Sequence, residues 1–220
     1  MTVSEAAPGI PDSPAYATEE RARLAASIRE LIDAAMSIED LNASTLVDVA
    51  GAVEQLTFRL GKGRAAGAGY QPRSHGDYLP RSPIVGEASP LSPRFAWERG
   101  GRGIVARGTF GAPYEGPPGY VHGGWIACAF DEMLGIANIQ AGNPGMTARL
   151  TVHYRHPTPL FRELRCEAWV ERVEGRRIIS RAELYDGDSL TARADGVFVQ
   201  PRPELAEQYF GHPFGSPEND

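Results

Sequence analysis

The stretch EGPPGYVHGGWIACAFDEMLGIANIQAG, Glu115 to Gly142, decides the fold. Its middle is almost wholly apolar. Yet it opens on His122-Gly123-Gly124 and sets two adjacent acids, Asp131 and Glu132, among Ile126, Cys128, Phe130, Met133 and Leu134. From about Gly124 to Gln140 the run predicts a long helix, apolar nearly all round, which other elements must enclose. The two glycines at its start need a reason. A helix N-terminus leaves N–H groups unpaired and carries partial positive charge. Glycine there lets a ligand approach the backbone closely, which suits the oxygen of an acyl carbonyl. A carboxylate among apolar side chains is costly without a partner or a task. Desolvation would make it a stronger base.

Working outward, the character on both sides is strand. Residues 146–157 (MTARLTVHYRHP), 163–175 (ELRCEAWVERVEG), 176–187 (RRIISRAELYDG) and 189–200 (SLTARADGVFVQ) alternate apolar and polar residues and are rich in β-branched and aromatic ones. Glu174-Gly175 and Asp186-Gly187-Asp188 are hairpin turns between them. Upstream, residues 102–110 (RGIVARGTF) alternate in the same way. The order strand, helix, four antiparallel strands predicts an α+β fold in which one long central helix is wrapped by a curved antiparallel sheet.

Further upstream the period changes to that of a helix. Leu24, Ile28, Leu31 and Ile32 mark one helix from Ala15 to about Met36. Leu46, Val49, Val53, Leu56 and Leu60 mark a second from Ser44 to Leu60, with Gly61 as its stop. An apolar stripe on each predicts an N-terminal helical hairpin whose helices pack on each other and on something else. The expected organisation is a polar, Pro-containing tail over 1–14, the hairpin over 15–61, a Gly/Pro/Arg linker over 62–84, the main domain over 85–200 and a tail over 201–220. No internal repeat is visible.

Composition limits the function. The chain of 220 residues has 42% hydrophobic and 23% charged residues and a net charge of -6. That is enough apolar material for a core, and the acidic balance argues against a general nucleic-acid binder. No apolar run reaches the roughly 18–20 residues that span a bilayer. The first residues have no basic segment followed by an apolar one, so no secretion signal is expected. Two cysteines, Cys128 and Cys166, fit reduced thiols in a cytoplasmic protein better than a disulfide framework. No Cys/His cluster has zinc spacing, so no metal is expected.

The motifs GYVHGGWIACAFDEMLG, then TARLTVHYRHPTPL, then the hairpins through ADGVFV carry a family resemblance. His-Gly-Gly, an acid nine residues after the His, and T-x-x-L-x-V-x-Y-x-x-P together resemble the hotdog-fold acyl-CoA thioesterases of the PaaI-like group, over roughly residues 85–200. The resemblance implies that Asp131 activates water or attacks the thioester carbon, that the Gly123 amide polarises the carbonyl, and that Thr147 assists. His122 and Gly124 complete the motif. It also implies an acyl-CoA substrate, with coenzyme A as part of the substrate and no separate cofactor.

Spacing adds a consequence of its own. Gly123 and Asp131 are eight residues apart, roughly 12 Å along one helix. An attacked carbonyl carbon sits about 3–3.5 Å from its attacker, with its oxygen about 3 Å from the donor. One helix cannot easily serve both ends. Two antiparallel copies can, with Gly123 of one facing Asp131 of the other. A homodimer with isologous contacts is therefore the expected active unit, and pairing of dimers into tetramers is a further option.

Several of these residues carry a second reading. Asp131 is also a candidate structural partner of Arg149 or Arg155, and Glu132 is the neighbouring alternative as base. Asp131 is preferred because it shares a helix face with the small residues Gly124, Ala127 and Cys128. His122 is either a base or a turn residue whose ring anchors the helix start. Arg149, Arg155 and Arg162 are candidates for the phosphates of coenzyme A or for a solvated face. The turn at Asn143 borders the expected nucleotide site. A hotdog hydro-lyase and a non-catalytic acyl-CoA binding protein are the competing functions.

Overall fold

A computed structural model describes residues 19–62 and 79–202. The expected tail over 1–14, residues 203–220 of the expected tail over 201–220, and residues 63–78 of the expected linker over 62–84 lie outside the described residues. Two N-terminal helices, α1 (Glu19–Met36) and α2 (Ala43–Gly61), precede the main domain. In that domain β1 (Ala96–Gly100) and β2 (Gly103–Gly108) are followed by α3 (Gly123–Gln140), β3 (Met146–Tyr154), β4 (Leu164–Glu174), β5 (Arg177–Asp186) and β6 (Ser189–Val199).

The six strands form one antiparallel sheet in the order β1-β2-β4-β5-β6-β3. The hairpins β4–β5 and β5–β6 turn at Gly175 and Gly187, both with φ +58, a conformation glycine adopts without penalty. β3 does not pair with its sequence neighbour β4. It crosses over to the far side of β6 and becomes an edge strand.

The helix lies against one face of the sheet. Along β4, β5 and β6 that face is built of small residues, Ala168, Ala182, Ala192, Ala194 and Gly196, so the helix backbone can come close. A Cβ at Gly196 would meet Leu134 Cδ1 at 2.9 Å. The seam is filled by Ile126, Phe130, Met133, Leu134 and Ile136 from the helix and by Leu164, Ile178, Leu184 and Phe198 from the sheet. A polar link crosses it, where Ser180 Oγ donates to Asn138 Oδ1 at 2.5 Å.

Two expectations change. β1 was not read from the sequence: Ala96–Gly100 carries Trp97 and Glu98 in a pattern that is exposed or half-buried throughout, so it lacks the buried alternation that marks an inner strand. The N-terminal helices also do not form a packed hairpin. α1 docks on the domain, burying Ala25 and donating from Arg29 Nη1 to the carbonyl of Ser89 at 2.7 Å. α2 buries no residue at all, so its apolar stripe finds no cover on α1. The physical reason is that α1 turns one side, at Arg29 and Asp33, to the segments around residues 89 and 111 rather than to α2.

Candidate active site

The first turn of α3 decides which donor is open. His122 is the N-cap, in extended conformation, and its Nδ1 accepts from the Gly124 N–H at 3.0 Å. An acceptor Nδ1 requires a neutral ring with the proton on Nε2. The Trp125 and Ile126 N–H groups both bond to the His122 carbonyl. Of the four N–H groups that a helix start leaves over, the one at Gly123 remains among the described residues. It sits at the positive end of the helix. His122 thus acts as an anchor of the helix start in this geometry, and its Nδ1 is engaged.

Tyr154, which the sequence motif contains but to which no role was given, stands beside this donor. Its Oη donates to the Gly123 carbonyl at 2.8 Å. A Cβ at position 123 would lie 3.2 Å from that oxygen. The sequence signal was hidden by a β-bulge between Thr147 and Arg149. Thr147 and Tyr154 are an odd number of residues apart, which puts them on opposite faces of a regular strand. The extra residue reverses the alternation. Thr147 then opposes Phe198 and Tyr154 opposes Ala192, both on the helix side of the sheet.

Two turns along the helix, Asp131 Oδ1 accepts from Thr147 Oγ1 at 2.7 Å. This bond ties the carboxylate to the edge strand and leaves Oδ2 directed elsewhere. Glu132 is buried on the helix's inner side, whereas Asp131 is exposed, on one strip with Gly124, Ala127 and Cys128. The expected desolvation of Asp131 is therefore not supplied within one chain. Its face of the helix stays open because the sheet covers only the other.

The remaining candidates spread out. Arg149 opposes Val197, on the sheet face away from the helix, so it cannot reach Asp131. On that same face His153 pairs with Asp195 at 3.3 Å. Arg155 is exposed just past β3, next to Tyr154, and its N–H bonds to the Thr191 carbonyl. Asn143 lies at the opposite end of α3, where its Nδ2 donates to the Ala141 carbonyl at 2.8 Å. Arg162 pairs with Asp186 at 3.0 Å. Cys128 is a poor nucleophile: partial burial, then the charges of Glu132 and Asp131, push its thiol above the ordinary value. Cys166, fully buried, is pushed up to about 12.

Residues 118–192, which contain the HGG turn, Asp131, Thr147 and Tyr154, match the family model of the thioesterase superfamily. A crystal structure of a thioesterase superfamily protein superposes with a TM-score of 0.71 at 29% identity, over 81% of this chain and 94% of that one. Residues 118–192 are thus similar to the thioesterase superfamily, and the chain has the hotdog fold. Among curated proteins it is similar to acyl-coenzyme A thioesterase THEM4 of Xenopus laevis, at 36% identity over 94 residues, 41% of this chain and 42% of the relative. The corresponding protein of Mus musculus is 32% identical over 96 residues, 43% of this chain and 41% of the relative. The matched stretch spans less than half the length of either relative.

Proposed function

We propose that the protein hydrolyses acyl-CoA thioesters to the free acid and coenzyme A, as a cytoplasmic enzyme of the PaaI-like type. The observation that carries this is the division of the site: one open N–H, at Gly123, and one carboxylate held ready by Thr147 eight residues further along the same helix. The names of the curated relatives support the substrate class. At roughly 12 Å along one helix the two groups cannot serve one carbonyl. A second chain, its α3 antiparallel to the first, would bring Gly123 of one copy to Asp131 of the other. It would also cover the exposed strip and remove water from the carboxylate.

In the proposed reaction the thioester oxygen accepts from the Gly123 N–H. Water attacks the carbonyl carbon while Asp131 Oδ2 takes its proton. The tetrahedral oxyanion then collapses, the C–S bond breaks, and coenzyme A leaves as its thiolate and is protonated. Direct attack by Asp131 Oδ2, with a mixed anhydride as intermediate, is the other route through the same atoms. Gly124 would border the ligand, and Arg155 is the better-placed arginine for its phosphates; Asn143, past the far end of α3, is left outside this site. No metal or separate cofactor enters this scheme. A hydro-lyase is disfavoured because it needs a free His beside the acid, and His122 Nδ1 is bonded to Gly124. The test is free-thiol release from short aliphatic, aromatic and long-chain acyl-CoAs by wild type and Asp131→Asn. Turnover by wild type that the folded variant lacks supports the reading. Binding of acyl-CoA by calorimetry without any release would replace it with a binding protein.

A further inference from the structure

α2 is a 19-residue helix with a proper start: Asn42 Oδ1 accepts from the Thr45 N–H at 2.9 Å. Nevertheless none of its residues is buried, and only Thr45, Gly51 and Val53 are half-buried. An isolated helix of this length is marginal in water and is usually held by packing of its apolar face. Five of its apolar residues, Leu46, Val49, Val53, Leu56 and Leu60, step by three, four, three and four, with Val47 and Phe58 off this line. That is the strict a/d spacing of a helix whose seam meets one other helix, narrower than the stripe of a helix laid on a sheet. Leu46, Val49, Leu56 and Leu60 are 44–53% exposed. Beside the seam stand Thr45, Ala50, Ala52 and Thr57, small enough for a second helix to come close.

The charges indicate which helix. Glu39, Asp40 and Asp48 lie at or before the first half and Glu54 just past the middle, whereas the basic residues, Arg59 and Lys62, both lie at the end. Laid antiparallel on a copy of itself, the acidic beginning of each helix meets the basic end of the other, and the helix dipoles oppose favourably. Laid parallel, like charges meet. We infer that α2 is a self-pairing element: in solution it packs antiparallel on α2 of a second copy of this chain. Leu46 of one copy then meets Leu56 of the other, and Val49 meets Val53, in the alternating a–d layers of an antiparallel pair. This contact is separate from the α3 strip and does not depend on the proposed chemistry.

The test uses two differently tagged full chains, one with Val49→Cys and the other with Val53→Cys, co-expressed and mildly oxidised. Wild type, with only Cys128 and Cys166, sets the background. The expected result is a species of twice the chain mass that carries both tags and disappears on reduction. Glu54→Cys, on the far side of the helix, gives none. Absence of that species, or linking by Val49→Cys alone at the same yield, overturns the antiparallel pair. As a check independent of thiols, Val49→Glu with Leu56→Glu is expected to remove amide-exchange protection in α2 while leaving α3 protected. Protection retained in α2 would equally refute it.

Discussion

At the scale of single residues, the open N–H of Gly123 can be removed without removing the helix. Position 123 is the first helical residue, where proline is well tolerated. The preceding His122, at φ -63 and ψ 132, already has the extended backbone that a residue before proline needs. Gly123→Pro deletes the donor, and Gly123→Ala keeps it while meeting the same Tyr154 atoms. The expected outcome is a loss of about 10²–10³ in kcat for proline, the cost of one oxyanion donor, and a far smaller loss for alanine. Similar losses in both variants would assign the effect to crowding against Tyr154. Thr147→Val should lower kcat, because Asp131 loses the hydroxyl that holds its Oδ1, while Thr147→Ser retains the bond and most of the rate. Gly123, Asp131 and Thr147 were readable as a motif. Tyr154 and the outward turn of Arg149 were not, because one bulge residue at position 148 resets the alternation and leaves no mark in composition.

The elements show where local pattern suffices. α3 and β4 to β6 follow from period and turn residues, since each buries one face, and β3, though largely exposed within one chain, follows from its alternation of β-branched and aromatic residues. β1 and the crossing of β3 to β6 do not, because an exposed edge strand has no buried period and pairing order depends on the whole sheet. The fit of α3 on the sheet is testable through the buried Ser180–Asn138 link. Ser180→Ala leaves Asn138 Oδ1 buried and unpaired, at a cost of about 1–3 kcal/mol. Urea unfolding should show a lowered midpoint with an unchanged slope. A pH effect belongs to this scale too. Tyr114, whose Oη donates to the Leu91 carbonyl at 3.0 Å, has its phenol pushed up to about 12 by burial. The folded state then holds the Tyr114 proton where the unfolded chain, titrating at about 10, has lost it. This contribution is complete below about pH 10 and falls away as pH rises toward 12. Denaturation at a series of alkaline pH values should show the decline, and Tyr114→Phe should flatten it.

For the whole molecule, the match to a solved thioesterase-superfamily structure reaches over 81% of this chain, well beyond residues 85–200, so the comparison is not confined to the helix-and-sheet core. What the single chain leaves open is the α3 strip with Gly124, Ala127, Cys128 and Asp131, and the edge strand beside it. The proposed cross-chain site makes a prediction that no intrachain site shares. Chains with Asp131→Asn and chains with Gly123→Pro are each expected to be inactive. Unfolded together and refolded at equal ratio, half of the dimers pair one of each by random association. Every such dimer has one site with both native groups, Gly123 from the first chain and Asp131 from the second, and one site with both changes. Activity should recover to about a quarter of wild type, since half the dimers each carry one of two sites. An intrachain site predicts no recovery above the sum of the two variants, whatever the oligomer. The recovered activity should keep the wild-type KM, because the intact site is unaltered, and should scale with the fraction of mixed dimers when the ratio of the two chains is varied.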